Sequence, residues 1–294
     1  MWFKNLTVFK LSEDWSGRVH EIEGALSGHQ FSRIAYSPVS TGWVRPREDD
    51  DRLVVNVQGQ ILMAFRIEKK LLPASVVNQA VKDRAKEIEE LQGYRPGRKQ
   101  MRELKELVSD ELLPSAFPVA KDISVWVDPK NGWVVFDTAS PAQADEIVAA
   151  MGKAMAPFPL EFIHLPLTLR MTDWTISGQP PVGFTIDDES QWEQHENGVI
   201  RYLRHTVPGS EMQARFNDGF LCTRLGMTWQ DKISFVLTDE PVFKRVKPLD
   251  IIQQRENASE DAAKDEFEKF ESDFVIMTSE LNVMLSNLFA AMEE

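Results

Sequence analysis

The stretch Phe267-Glu268-Lys269-Phe270-Glu271-Ser272-Asp273-Phe274-Val275-Ile276-Met277-Thr278-Ser279-Glu280-Leu281-Asn282-Val283-Met284-Leu285-Ser286-Asn287-Leu288 decides how the rest of the chain is read. Phe267, Phe270, Phe274, Met277, Leu281, Met284 and Leu288 recur at alternating steps of three and four, an unbroken apolar stripe over three heptads. A long amphipathic helix packed on a sheet or on another helix accounts for this stripe better than a free coiled coil. The acidic residues of its first turns suit the positive end of the helix dipole.

Upstream of that helix the pattern changes to short strands with turn residues between them. Trp2 to Leu11 alternates as a strand, and Ser12 is the expected cap of a helix carrying Trp15, Val19, Ile22 and Leu26, ended by Gly28. Leu53–Val57 and Ile61–Ile67 read as a hairpin around Gln58-Gly59-Gln60, and Val125–Val127 with Trp133–Phe136 as a second across Asp128-Pro129-Lys130-Asn131-Gly132. Ser140-Pro141 opens a helix to about Met155, with proline at the first helical position, and Glu161–Arg170 reads as a strand. Further strands are expected near Phe184–Ile186, Val199–Thr206, Leu221–Trp229 and Ile233–Leu237, with a short helix at Glu211–Asn217.

Pro73 to Leu113 differs in kind. Val77, Val81, Ala85, Ile88 and Leu91, then Leu104, Leu107 and Leu112, give two helical faces interrupted by Gly93-Tyr94-Arg95-Pro96-Gly97, so a helical hairpin is predicted. Eight lysines and arginines lie between Lys82 and Lys105, with Arg95, Arg98, Lys99 and Arg102 near the turn. A cationic tip can contact phosphates or merely be solvated. Phe117, between Pro114 and Pro118, is by default a core plug and otherwise an exposed contact. The fold class expected is α+β: sheets with packed helices, a protruding helical hairpin and the long C-terminal helix. The expected division is 1–72 and 120–170 for a central body, 73–119 for the hairpin, 171–240 for a mostly β base, and 241–294 for the return to the body.

Charge neither supports nor excludes nucleic acid. The 294 residues carry a net charge of −13, which disfavours phosphate binding. From Glu256 to Glu294, however, 11 acidic residues face only Lys264 and Lys269, a net of −9, and the first 255 residues are left with −4. Arg201, Arg204, His205, Arg215 and Arg224 make 171–240 locally basic, and Lys244, Arg245 and Lys247 form a further cluster. The longest apolar runs are short, as at Trp133–Phe136, so no membrane span and no signal peptide are expected. Cys222, the single cysteine, fits a reducing cytoplasm and reads as a small buried hydrophobe in a strand.

Catalytic signatures are weak. There is no GxxxxGK[ST] loop, no HExxH and no GxSxG elbow, and His20, His29, His164, His195 and His205 are scattered. Asp49-Asp50-Asp51 and Asp187-Asp188-Glu189 read as solvated loops rather than magnesium sites, and Asp128 as a turn residue. No catalytic residue, metal or cofactor is expected.

Several segments together resemble the RdgC family of bacterial recombination-associated proteins. They are Trp2-Phe3-Lys4-Asn5-Leu6, Gly42-Trp43-Val44, Glu68-Lys69-Lys70-Leu71-Leu72-Pro73, Leu112-Leu113-Pro114-Ser115-Ala116-Phe117, Gly198-Val199-Ile200-Arg201 and Asp273–Leu281, in family order along nearly the whole chain. The resemblance implies a non-enzymatic, sequence-nonspecific binder of double-stranded DNA, with single-stranded DNA bound more weakly. It implies a ring-shaped homodimer of two horseshoe monomers around the duplex, association with the nucleoid and the replication fork, and antagonism of RecA-mediated strand exchange. Under it the hairpin is the tip that meets its partner, Phe117 with Leu112 and Leu113 makes the dimer contact, and Arg204 and His205 face the hole. Arg95, Arg98, Lys99, Arg102, Arg201, Arg215 and Arg224 complete the expected DNA-binding set. Two other readings stay open: a metal-dependent DNA-processing enzyme using Asp128 or Asp187, and an adaptor binding recombination proteins through its acidic C-terminal helix.

Overall fold

The computed structural model describes residues 2–12, 15, 18–194, 198–262 and 265–293. Among them the strands are β1 (Leu6–Leu11), β2 (Val39–Val44), β3 (Val55–Val57), β4 (Gln60–Leu71), β5 (Phe117–Asp128), β6 (Trp133–Phe136), β7 (Leu160–Glu161), β8 (Phe184–Gln194), β9 (Gly198–Leu203), β10 (Leu221–Trp229), β11 (Ile233–Thr238) and β12 (Val242–Pro248). The helices are α1 (Val19–Ser27), α2 (Ala74–Gln92), α3 (Arg98–Leu112), α4 (Pro141–Ala154), α5 (Leu167–Ser177), α6 (Gly209–Asn217), α7 (Asp250–Ala262) and α8 (Glu266–Glu293). All strands join one antiparallel sheet in the order β2-β4-β5-β6-β1-β12-β11-β10-β8-β9, with β3 on β4 and β7 on β1. The fold is α+β, as expected.

Period-two alternation sorts the first half of this sheet onto two cores. Leu6, Val8, Leu62, Trp126, Trp133 and Val135 face the core under α8. Their neighbours Phe9, Leu11, Ile61, Met63, Val125, Val127, Val134 and Phe136 face the opposite core, where α1 contributes Ile22 and Leu26 and α4 contributes Ala144, Ile147 and Met151. Central strands are therefore apolar on both sides.

The quoted stripe lies on α8, and Phe274, Met277, Leu281, Met284 and Leu288 are fully buried. Leu285, Phe289 and Met292 widen it beyond a coiled-coil seam, which suits packing on a flat sheet. The Trp133 indole N–H donates to Asn282 Oδ1 at 3.0 Å, fixing the helix over β6. By length and composition α8 is apolar enough to cross a membrane, although the chain's uninterrupted apolar runs are short. In this fold its apolar side belongs to the sheet core.

α2 and α3 form the predicted hairpin around their own seam of Val77, Val81, Leu104 and Val108, separate from both sheet cores. Gly93, at φ 80°, takes the left-handed position that ends α2, and the Gln100 side chain accepts from the Gly97 N–H at 2.9 Å to open α3.

Four local expectations need correction. The strand expected at Glu161–Arg170 survives only as β7, and most of the segment lies in or next to α5. Leu165, Leu167 and Leu169 imitate strand alternation, but Leu167, Met171 and Trp174 are the buried set, at helical spacing, while Leu169 is exposed. The first strand begins at Leu6 instead of Trp2, because Lys4 and Asn5 give their N–H groups to the Asp137 carboxylate. α1 starts after Arg18 rather than Ser12, and residues 13, 14, 16 and 17 lie outside the described residues. β2 was not anticipated. Gly42 permits it, since a Cβ there would meet the Phe31 backbone at 2.4 Å.

Candidate nucleic-acid interface

Beyond β1 the sheet has only one core. Trp192, Cys222, Leu225, Met227, Trp229, Ile233, Phe235, Leu237 and Phe243 all face the core covered by α5, α6 and α8. The other side of β8–β12 carries mostly polar side chains, with Val199, Leu203 and Val236 among them, and joins no apolar cluster among the described residues. On this polar face Arg201 pairs with Gln191, Gln191 with Arg224, and Arg224 with Thr238. Directly opposed residues share a face, so both arginines stand in one row, two strands or roughly 10 Å apart. Arg201 is exposed and Arg224 half-exposed, and neither forms an ion pair among the described residues.

Arg204 and His205 follow directly on β9. Arg204 is exposed at φ 54°, a left-handed position unusual for a non-glycine residue. The His205 N–H donates to the Asp188 carbonyl at 3.1 Å, and the ring stacks on Tyr202 with centroids 6.5 Å apart. His205 also lines a cleft of about 440 Å³ with Asp187, Glu189 and Ser190, so its surroundings include two carboxylates. Arg215 is half-exposed and engaged by its neighbours. Its Nε donates to the Tyr202 hydroxyl at 3.4 Å, and Glu211 lies 3.6 Å from its guanidinium.

The tip cations sit elsewhere, on a hairpin inserted between β4 and β5 near the other end of the strand order. Arg95 is paired with Glu89 at 3.2 Å and Lys99 with Glu103 at 3.9 Å, whereas Arg98 and Arg102 are exposed without an ion pair among the described residues. The structure therefore groups Arg201 with Arg224, sets the His205 ring against Tyr202 on the α5–α6 side of the sheet, and leaves Arg95, Arg98, Lys99 and Arg102 as a second cluster.

Phe117 is not a core plug. It opens β5 opposite Leu71, and its ring is 81% exposed beside exposed Leu71 and Val119. Continuous pairing of β4 with β5 out to this point leaves no interior for the ring to enter. Leu113 is buried at 8% exposure, and Leu112 packs against the hairpin seam, so of these three only Phe117 presents its side chain outward.

The acidic motifs have structural partners. Asp49, Asp50 and Asp51 pair with Arg47, Arg52 and Arg45; Asp49 and Asp51 remain exposed to solvent as expected, and only Asp50 is largely covered. Arg52 holds the Asp50 carboxyl down to about 2. Asp128 is buried and accepts from the Lys130 and Asn131 N–H groups, which is the expected turn role. Asp187 accepts from the Thr228 hydroxyl at 3.0 Å, and burial raises its pKa. Among the described residues no group of three or more His, Cys, Asp or Glu is placed to hold a metal ion. Cys222 is buried in β10, and burial pushes its thiol up to about 12. His195 and Lys264 lie outside the described residues.

Lys244 and Lys247 also stand on the polar face, opposite Val236 and Ser234. The sequence marks them as a cluster but not as a shared face, because residues three apart in a regular strand point to opposite sides.

A family model described as "Putative exonuclease, RdgC" matches residues 1–294. The chain is 45% identical to the Recombination-associated protein RdgC of Janthinobacterium sp. over 99% of this chain and 98% of that protein. It is 44% identical to the protein of the same name from Cupriavidus pinatubonensis, again over 99% and 98%. The Burkholderia ambifaria protein of that name is 45% identical over 98% of this chain and 94% of its own length.

Proposed function

Since the chain belongs to the RdgC family of recombination-associated proteins, we propose that it binds duplex DNA without sequence preference as a ring-shaped homodimer. By occupying the duplex it limits RecA-mediated strand exchange, and it works in the cytoplasm on the nucleoid. The observation that carries this reading is the polar half-face of the sheet, where Arg201 and Arg224, without an ion pair among the described residues, share one row and Arg204 continues β9. Cations on a sheet surface reach phosphates and sugars, which set position but carry no base information. Two subunits presenting such faces double the phosphate contacts, so modest local charge suffices despite an acidic chain. The C-terminal acidity does little harm beyond a Debye length of ~8–10 Å from the DNA.

Ring closure is assigned to the exposed Phe117, Leu71 and Val119 at the far end of the β4–β5 ribbon, beside the hairpin. A gel-shift comparison of linear and circular duplex at two salt concentrations tests the reading. Affinity is expected to fall steeply with salt, and protein on circles is expected to survive a salt challenge that strips it from linear DNA. Phe117→Ala is expected to abolish that retention on circles without unfolding the monomer. A log-log salt slope near zero overturns the proposal. The second reading, an exonuclease, has the family model's printed description behind it. Magnesium-dependent degradation lost in Asp187→Ala would favour it.

A further inference from the structure

β12 contains Phe243, Lys244, Arg245, Val246 and Lys247, and its pairing with β11 breaks register between Ser234 and Val236. One residue of β11, Phe235, spans the interval that Arg245 and Val246 occupy together. Arg245 adopts φ 54°, and this β-bulge absorbs the extra residue. Its consequence is visible on both sides of the strand. Phe243 and Val246, three apart, both enter the core, while Lys244 and Lys247, also three apart, both face away from it. Without the bulge one lysine would point into the core.

The anionic groups of the same face are engaged. Glu189 is tied to Arg245 at 2.5 Å, and Asp187 is half-buried against the Thr228 hydroxyl. Glu193 accepts from the Gln191 amide. Lys244 and Lys247 form no ion pair among the described residues.

We propose that Lys244 and Lys247 are phosphate contacts, extending the field of Arg201 and Arg224 across the polar face to β12. The inference rests on the DNA-binding reading above. Five adjacent strands place β9 and β12 roughly 19 Å apart. That span exceeds the ~12 Å major groove, so the field reaches phosphates on both sides of a groove.

The test is fluorescence anisotropy of the full-length protein on two duplexes of unrelated sequence, across a series of salt concentrations. The double variant Lys244→Gln/Lys247→Gln is compared with Lys130→Gln/Lys153→Gln, which removes the same charge from exposed positions off this face. The first variant is expected to flatten the log-log slope by about 3.6, at ~0.9 per phosphate contact with each subunit of the dimer losing two, equally on both duplexes. Its thermal midpoint should match that of wild type. A slope equal to that of wild type or of the control pair overturns the inference while leaving DNA binding intact. Loss on one duplex only also overturns it, since that marks base reading. If wild type shows no salt-dependent binding, the functional reading fails and takes this inference with it.

Discussion

The strands on either side of β1 apply the same alternation to different ends. From β4 to β1 both sets of alternate residues are apolar, and the sheet is sandwiched between α8 on one side and α1 with α4 on the other. From β12 to β9 one set is apolar and the other carries Arg201, Gln191, Arg224, Lys244 and Lys247. A strand covered on both faces leaves little room for polar side chains, whereas one covered on a single face can present charges from a rigid backbone. Under the proposed function, stability and binding fall to different halves of one sheet.

That division can be broken by experiment. The largest effect is expected in the sandwiched half. Leu281→Ala removes a fully buried side chain of α8 and should cost about 2–5 kcal/mol in chemical denaturation. It should leave the DNA salt slope of the remaining folded protein unchanged. Arg224→Gln should do the reverse, altering stability by less than ~0.5 kcal/mol while flattening the salt slope of the dimer by about 1.8, ~0.9 from each subunit. Comparable destabilisation by the two changes would erase the distinction.

The smallest effect sharpens the boundary of the polar face. Burial raises the Asp187 pKa, so the folded state holds that proton more tightly than the unfolded chain does. Stability linked to this group is greatest at acid pH and falls as pH rises from the ordinary carboxylate range through the raised value. Asp187→Asn should therefore raise the thermal midpoint at pH 7 and leave it unchanged at pH 3. A drop at pH 7 would show that the ionised carboxylate supports the fold.

Much of the sandwiched half was legible because its signals are local. The α8 stripe, the Gly93 break in the hairpin and the Asn131-Gly132 turn each follow from a few neighbouring residues. The second half was less so. Arg201, Arg224, Lys244 and Lys247 come onto one face through strand pairing and through register shifts at Thr223 and Arg245, which no periodicity in the sequence announces. Arg215 looked equivalent to Arg224 and differs only because α6 brings it to Tyr202. Glu161–Arg170 failed for a related reason. Its leucines satisfy two periods, and contacts made by Met171 and Trp174, beyond the segment, choose the helix.

The position of β1 has a consequence for synthesis on the ribosome. It precedes the other described strands in the chain, yet it is completed on one side by β6 and on the other by β12, with Leu6 opposite Phe243. At ~5–20 residues per second, roughly 12–50 s separate translation of Leu6 from that of its last partner. α8, which closes the core beneath both halves, follows later still. Throughout that interval the nascent chain carries an unpaired strand edge and an uncovered apolar floor, the surfaces that trigger factors and holdase chaperones engage.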